Sequence, residues 1–317
     1  MQELAIFFSA FVPAYQKPYL SVFDQLSQLK KRGIIVTDES QALDHLKQIN
    51  YYRLSAYWYP FRATAHSQVQ DNFKPDTHFQ TIIDLYLFDK KLRLLMLDAL
   101  ESIEIALRTA VALQLGQHDP WAYRNPKYLD GKFVKRNAHM KWLQQFDDKA
   151  KKSKEPFAEH FRSKYPSEDF PLWMGVELLD FGALSCLLNG MRYSDQRPIA
   201  YQYGIPRPEL LTSWVWTLCF VRNVCAHHAR LWNRSLVAQP KQPRSGEIQV
   251  LDHLDRNAYT RFYAASAICR FMLTTIMPTS NWSDQLKAHI STFPQNSHVS
   301  FSASGFPHTW ENESLWN

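Results

Sequence analysis

Side chains able to act on a phosphodiester are concentrated in one short segment, RNVCAHHARLWNR, at residues 222–234. At about 100° per residue, their spacing places four polar residues in one stripe of a helix. The stripe consists of Asn223, His227, Arg230 and Arg234. Arg222 lies at its edge, about 140° around the helix from His227. The segment therefore predicts a polar site on one face of a helix.

These residue types suit cleavage of RNA without a metal ion. A neutral imidazole accepts a proton from a hydroxyl and, once charged, returns it to a leaving oxygen. Guanidinium groups donate forked hydrogen bonds to phosphate oxygens and stabilise the charge of the transition state. Asn223 can orient an imidazole or a ribose. Attack by the neighbouring 2′-hydroxyl would leave a 2′,3′-cyclic phosphate and a 5′-hydroxyl.

The other side of the same helix is predicted to face the core. It carries Val221, Val224, Cys225, His228 and Trp232. A structural interpretation stays open, because an arginine–carboxylate network or a buried histidine would show the same spacing. Zinc binding by Cys225, His227 and His228 is disfavoured, because no second ligand cluster follows at a suitable spacing. No glycine-rich phosphate loop appears either, so we expect no metal and no other cofactor.

Composition indicates a globular, helical protein. The chain has 317 residues, 45% of them hydrophobic and 14% aromatic, with only nine glycines. Its net charge of +6 is a moderate bias toward polyanionic partners. The four cysteines form no CxxC pair and are predicted to be reduced, buried thiols. The apolar start, residues 3–14, is too short to span a bilayer, and we expect a cytoplasmic protein without a membrane partner.

The order of patterned segments predicts an all-α protein with no strand hairpin. A small helical unit with an aromatic docking segment is expected over residues 1–75, and a helical bundle over 76–276. A loop-rich tail that packs on the bundle is expected over 277–317. The long first helix of the bundle has no glycine or proline from Asp76 until Gly116.

Residues 117–171 are predicted to form a basic insert in this bundle. Between Arg124 and Lys164, twelve Lys or Arg face five Asp or Glu, a local charge of +7. Lys149, Lys151 and Lys152 belong to this insert. A solvated surface and a lobe that attracts phosphate both fit the pattern.

Two further features have structural and functional interpretations. Asp89 with Arg93, and Glu104 with Arg108, are acid–base pairs at i,i+4 that favour the helix. If that helix faces the polar stripe, one of the acids could hold Arg222 or His227 in place. The aromatic run at residues 49–61 could stack bases, although a buried plug against the bundle is favoured.

Several blocks of the chain together resemble the bacterial Abi-like (abortive infection) family, from about residue 17 to the end. They are INYYRLSAYWYPF, LYLFDKKLR, IEIALRTAVA, RNVCAHHARLWNR and GFPHTWENESLW. Such proteins are similar to the HEPN superfamily, whose four-helix bundles carry an Arg-polar-x3-6-His signature. Arg222, Asn223 and His227 match that signature. The resemblance implies a HEPN-like four-helix bundle and a metal-independent ribonuclease toxin of phage defence. It also leaves open a module that binds RNA or nucleotide without cutting, and a defence scaffold.

The expected partner is RNA. Arg222, Asn223 and His227 are the expected catalytic residues. The residues expected to bind RNA are Arg230, Arg234, His228, Lys149, Lys151 and Lys152. A homodimer is expected, because one helix presents Arg222 and His227 poorly toward a single phosphate, whereas two helices crossing at a two-fold axis would combine them. The resemblance adds an RNA or protein antitoxin as a further partner.

Overall fold

The computed structural model describes residues 16–135 and 137–317, and these residues are mostly helical, as an all-α fold requires. In chain order the helices are α1 (Val22–Lys31), α2 (Glu39–Gln48), α3 (Tyr51–Trp58), α4 (Phe79–Gly116), α5 (Gly131–Lys135), α6 (Ala138–Lys152), α7 (Pro156–Lys164), α8 (Leu172–Gly175), α9 (Phe181–Gly190), α10 (Tyr193–Gln202), α11 (Pro208–Ala226), α12 (Phe262–Ile276) and α13 (Trp282–Ile290). The chain forms two compact units, Met1–Ile83 and Asp84–Asn317. The apolar segment at residues 3–14 lies outside the described residues.

Helices α1 to α3 of the first unit begin at side-chain caps. Ser21 accepts from the backbone N–H of Asp24, and Asp38 accepts from that of Gln41. Gly33 follows α1 with a φ of +97°, the left-handed conformation that ends many helices. Within this unit Trp58 packs edge-on against Tyr51. The predicted docking role of the aromatic run stays a prediction.

The first unit also contains a hairpin, which corrects the expectation that the chain has none. Strands β1 (Arg62–Ala65) and β2 (Gln68–Phe73) pair antiparallel. They are joined by His66 and Ser67, whose φ angles of 50° and 61° are those of a two-residue hairpin turn. Such turns usually carry Asn-Gly or a similar pair, so His-Ser gave no recognisable signal.

Helices α4 and α11 run antiparallel in the second unit. Arg222 of α11 contacts Glu104 at a distance of 3.9 Å (Nε to Oε2), and the segment after α11 reaches back to Asp89, near the start of α4. The inner faces of both helices are closed by fully buried side chains such as Ile103 and Leu218. Helix α4 ends at Gly116, as predicted. This pairing places the acids of α4 beside the end of α11.

The basic insert is anchored to α9 by the apolar face of α6. Trp142 donates from its indole N–H to the carbonyl of Ala183 at 2.9 Å, and Phe146 stacks on Trp142. The lysines at the end of α6 lie on the exposed side of that helix. Anchoring of one face therefore directs the other, charged face of α6 outward.

Helix α11 is shorter than its sequence pattern predicts. It ends at Ala226, so residues 227–234 do not continue the helix. His228 has a φ of +56° and Asn233 a φ of +49°, both in the left-handed region. The buried Asp89 accepts from the backbone N–H of Trp232 at 2.6 Å and from that of Leu231 at 3.1 Å. The carboxylate thus takes the place of helical carbonyls as the acceptor for these amides.

The residues after α12 include one short helix, α13, within the predicted loop-rich tail. Helix α13 packs through Trp282, whose indole N–H donates to the carbonyl of Leu95 at 2.7 Å. Near the C-terminus Trp316 donates to the hydroxyl of Tyr263 at 3.1 Å. The predicted four-helix arrangement and domain boundaries stay predictions.

Candidate functional site

Helix α11 exposes a stripe at positions 216, 220, 223 and 227. Trp216, Asn223 and His227 are exposed and Phe220 is half-buried, with spacings of 4, 3 and 4. The sequence predicted a stripe with the same spacings, but at residues 223, 227, 230 and 234. The stripe therefore extends from His227 toward the start of the helix, because the chain leaves the helix after Ala226.

His227 is the last residue whose position follows the helical phase. Its backbone N–H donates to the carbonyl of Asn223 at 2.9 Å, a helical hydrogen bond. The next residue, His228, has a left-handed φ and is exposed. The expectation that His228 faces the core is therefore wrong, because helical phase does not extend to it. Trp232, by contrast, is fully buried as predicted.

A buried ion pair holds the turn that follows His227. Asp89 has no exposed surface, and Arg93 donates to it at 2.5 Å. Arg93 also reaches the carbonyl of Ala229 at 3.4 Å, while the carboxylate accepts from the backbone N–H groups of Leu231 and Trp232. Donors and acceptors of the turn are thus bound by one pair of side chains on α4.

Arg222 is held by the second acid–arginine pair of α4. Glu104 accepts from Arg108 at 2.5 Å and lies 3.9 Å from Arg222. Burial raises the pKa of Glu104 above its ordinary value, although the charges of Arg108 and Arg222 lower it. The carboxylate therefore sits between two guanidinium groups in a poorly solvated position.

An open cleft of about 550 Å³ lies beside Arg222. Its charged lining residues are Arg108, Lys149, Lys152 and Arg222 with Asp148, Glu155, Glu177 and Asp180. The four cations come from α4, the basic insert and α11, and the carboxylates balance them in number. A phosphate in the cleft would compete with the carboxylate partners of Arg108, Lys149 and Arg222.

Asp180 is the carboxylate most firmly bound in this cleft. It caps α9 by accepting from the backbone N–H of Ala183 at 2.8 Å and forms an ion pair with Lys149. Burial alone would raise the pKa of Asp180, but Lys149, the Ala183 N–H and Arg222 together lower it below its ordinary value. Asp180 is therefore ionised near neutral pH and competes with any phosphate for Lys149.

The structure brings together only some of the residues predicted for the site. Arg222, Lys149 and Lys152 line the same cleft. Lys151 is exposed but is not one of the residues that line this cleft. Asn223 and His227 lie on the exposed stripe and are not part of that lining.

The two arginines beyond the helix are placed differently from the predicted stripe. After the end of α11 the chain turns and brings Arg234 back to the helix, where its guanidinium lies 5.8 Å from the ring centre of Phe220. Arg230 is half-buried in the segment that the buried ion pair holds. The predicted grouping of Asn223, His227, Arg230 and Arg234 on one helical face is therefore wrong for its last two members.

The cysteines near this site are structural. Cys219, Cys225 and Cys269 are buried, and Cys186 is exposed, which corrects the expectation of four buried thiols. Burial raises the pKa of Cys219 to about 11 and that of Cys225 to about 12. Protonated thiols are poor nucleophiles and poor metal ligands.

Within residues 16–135 and 137–317, no group of three or more His, Cys, Asp or Glu side chains is arranged to hold a metal ion. In the same part of the chain, no helix has both the length and the apolar character needed to cross a membrane.

Comparison with known proteins identifies a family. The model of a family described as Abi-like protein matches residues 44–233, which is more than half of the chain. No curated protein and no solved structure matches significantly. The matched region contains Asp89, Glu104, Asp180, Arg222 and His227, and it ends one residue before Arg234.

Proposed function

The chain belongs to the Abi-like family, which suggests a role in abortive-infection defence, and on that premise we propose that it is a metal-independent ribonuclease toxin. Its substrate is single-stranded RNA, cut by attack of the 2′-hydroxyl. Arg222, Asn223 and His227 are the catalytic residues, in agreement with their resemblance to the HEPN signature. Lys149, Lys152 and Arg234 bind the RNA backbone, with Lys151, His228 and Arg230 as outer contacts.

One observation carries this proposal: Arg222 lines a cleft with lysines of the basic insert, while His227 is exposed at the end of the same helix. Guanidinium and ammonium groups at the cleft suit a phosphodiester, because they neutralise its charge and donate to its oxygens. The imidazole of His227, exposed five residues after Arg222, can exchange protons with the reacting hydroxyl.

The reaction needs proton transfer at two oxygens. An imidazole nitrogen of His227 takes the proton of the 2′-hydroxyl as the O2′–P bond forms. The P–O5′ bond breaks, and the 5′ oxygen receives a proton, which leaves a 2′,3′-cyclic phosphate and a 5′-hydroxyl. Arg222 donates to the phosphate oxygens that gain charge, and Asn223 holds the imidazole or the ribose.

A homodimer would supply both proton-transfer groups. Attacking and leaving oxygens lie on opposite sides of phosphorus in an in-line displacement, so one imidazole reaches both with difficulty. Two α11 ends related by a two-fold axis would place one His227 on each side. A mixture of wild-type protein with excess His227→Ala protein then loses activity beyond simple dilution. Proportional dilution would instead indicate that each protomer is complete.

The deciding experiment incubates the protein with end-labelled single-stranded RNA in EDTA. We expect fragments that end in 2′,3′-cyclic phosphate, and their loss in the variants His227→Ala and Arg222→Ala. His160→Ala is the matched control, since His160 is exposed in the basic insert. Fragments that depend on added metal, or that persist in His227→Ala, would contradict the proposed chemistry.

Salt dependence tests the binding cleft separately from cleavage. Each phosphate contact contributes a log–log slope of about −0.7 for single strands. Neutralising Lys149 and Lys152, which line the cleft, should lower the slope by roughly that amount per residue. The matched control neutralises Lys151 and Lys154, which are exposed and absent from its lining. Equal changes in both variants would mean that the cleft has no special part in binding.

A second function has one observation in its favour. The cleft lining includes Arg222 but not His227, so a phosphate bound there would meet cations without an imidazole. Such a site would hold RNA or a nucleotide without cutting it. RNA that is retained but intact, with affinity that depends on Arg222 and not on His227, would favour this function.

A further inference from the structure

The exposed stripe of α11 continues away from His227 to an exposed tryptophan. Trp216 is 58% exposed, although most positions of the same helix are buried. Its neighbour Trp214 is fully buried, so the exposure of Trp216 belongs to this face of the helix rather than to a loose region. A large exposed ring on a rigid helix is a surface on which another ring can stack.

Cations accompany both aromatic rings of this stripe. The guanidinium of Arg234 lies 5.8 Å from the ring centre of Phe220. Lys241 and Trp216 line one cleft of about 270 Å³, together with Asn189 and Thr212. Aromatic rings with adjacent cations are the combination that binds single-stranded nucleic acid, with bases on the rings and phosphates on the cations.

The lysine beside Trp216 is held in place by α11 itself. Its backbone N–H donates to the hydroxyl of Ser213 at 2.8 Å, and its carbonyl accepts from the indole N–H of Trp214 at 2.9 Å. These two bonds fix the Lys241 backbone on either side of its side chain. The cleft is therefore a fixed feature of the helix and its returning segment.

We propose that Trp216 forms a base-stacking subsite for single-stranded RNA on the same stripe as His227, with the Arg234 guanidinium over the ring of Phe220 between them. This inference deepens the proposed function and rests on it. Lys241 and Arg234 contact the RNA backbone along the subsite, and Asn189 and Thr212 offer hydrogen bonds to the edge of the base on Trp216.

Distances along the helix fit a short stretch of RNA. Trp216 and His227 are separated by roughly 16 Å at 1.5 Å per residue. Roughly five stacked bases at 3.4 Å each would cover that length. A dinucleotide bound at His227 would not reach Trp216, so the subsite acts only on longer RNAs.

At the Trp216 end of this face, away from the His227 end where the proposed dimer would meet, RNA fits better than a second copy of the chain does. Arg234 and Lys241 lie beside the stripe, and two such stripes in contact would bring like charges together. A polyanion would be attracted by the same charges. Glu209, at the far end of the stripe, is the acidic residue that lines the Trp216 cleft.

The test measures binding of a labelled 2′-O-methyl oligoadenylate of about eight nucleotides, longer than the stripe at 3.4 Å per stacked base. The methyl group removes the nucleophile, so binding is observed without cleavage. We expect Trp216→Ala to weaken binding about 5- to 150-fold, the usual loss for one stacked base. Trp216→Phe should retain most of the affinity. Trp173→Ala is the matched control, since Trp173 is 54% exposed and lines neither of the two clefts.

A scan with one abasic nucleotide identifies the stacked base. At one position, removing the base should weaken binding to the wild-type protein as much as Trp216→Ala weakens binding to the full oligonucleotide. Combining that abasic probe with the Trp216→Ala protein should weaken binding no further. Unchanged affinity of Trp216→Ala for the full oligonucleotide would overturn the subsite, as would losses that add at every position. A Trp216→Ala protein that changes from dimer to monomer while each chain keeps its RNA affinity would also overturn it, in favour of a protein interface.

Failure of the subsite and failure of the proposed function give different results. If wild-type protein binds no oligonucleotide at low salt, the RNA function itself is wrong. If wild type binds and Trp216→Ala binds equally well, only the subsite is wrong.

Discussion

Helix α4 carries two acid–arginine pairs of identical spacing that occupy different environments. Asp89 and Arg93 are buried at 0% and 3% exposure, and their polar atoms bind the backbone after His227. Arg108 lines an open cleft, and its partner Glu104 also contacts Arg222 of the same lining. The first pair shapes the chain around the candidate imidazole, and the second positions a candidate catalytic guanidinium.

The difference shows that i,i+4 spacing predicts a pair but not its role. Burial makes the Asp89 pair costly to break, because either partner alone would be an uncompensated charge in a poorly solvated interior. In the Glu104 pair, Arg108 is partly exposed and lines the cleft, so this pair is less costly to break than the Asp89 pair. We therefore expect changes at Asp89 to affect stability first, and changes at Glu104 to affect function first.

The largest effect is expected for Asp89→Ala. The variant leaves Arg93 without its carboxylate and the backbone N–H groups of Leu231 and Trp232 without an acceptor. Removing one partner of a buried ion pair costs about 3–5 kcal/mol of the free energy of unfolding. Urea denaturation followed by circular dichroism measures this loss.

Asp98→Ala is the matched control for that measurement. Asp98 is an exposed acid of the same helix, and we expect a change within about 0.5 kcal/mol. If Asp89→Ala cost no more than Asp98→Ala, the buried pair would not be what holds the turn.

Glu104→Gln should reduce activity more than stability. The amide keeps the size of the side chain but removes the charge that faces Arg222 at 3.9 Å. Displacement of a substrate-contacting group by about 1 Å can cost a hundredfold in rate, so we expect RNA cleavage to fall about 10- to 100-fold. Glu101→Gln, an exposed acid one turn earlier, is the control.

A double variant identifies the route of this effect. Because Arg222→Ala is expected to lose cleavage, the comparison uses RNA affinity: adding Glu104→Gln to Arg222→Ala should cause no further loss of affinity if Glu104 acts through Arg222. An additive loss would assign Glu104 a separate role.

The stability difference between wild type and Glu104→Gln should depend on pH. Below the ordinary pKa of 4.5, Glu104 is protonated in both folded and unfolded chains and contributes no difference. Burial raises the pKa of Glu104 in the folded protein, so Glu104 loses its proton in the unfolded chain first as pH rises. The free energy of unfolding therefore falls with rising pH until the pH exceeds the pKa of Glu104 in the folded protein. Wild type should therefore lose stability relative to Glu104→Gln from about pH 4.5 upward. A difference that moves the other way would mean that the arginines outweigh burial.

The helices of this fold could largely be predicted, because local residues decide them. Helix α4 has a continuous helical pattern that ends at Gly116, and α2 begins at a side-chain cap that the sequence shows. The end of α11 could not be predicted, because neither Gly nor Pro occurs in residues 222–234. The acceptor that ends the helical run, Asp89, is 142 residues away from Leu231.

The candidate site could be predicted in part for the same reason. Charge density indicated Lys149 and Lys152, and a motif indicated Arg222 and His227. Asp180 and Trp216 gave no signal, since an acid that caps a helix and a tryptophan in an apolar helix are ordinary in sequence. Their roles depend on which face of α11 and α9 is left uncovered, and that is decided by tertiary packing.

The smallest effect is expected for His228→Gly, in the turn that the Asp89 pair holds. His228 has a φ of +56°, and glycine would remove a strain of about 1 kcal/mol. Greater freedom of the unfolded chain would offset about 0.4–1 kcal/mol of that gain. We expect a net change within about 0.5 kcal/mol, with RNA cleavage retained, because His227 rather than His228 is the proposed base. Urea denaturation and the cleavage assay measure both, with His227→Gly as the matched variant. A large loss of stability in His228→Gly would mean that the His228 side chain packs inward. Loss of cleavage in a stable His228→Gly protein would assign the proton transfer to His228.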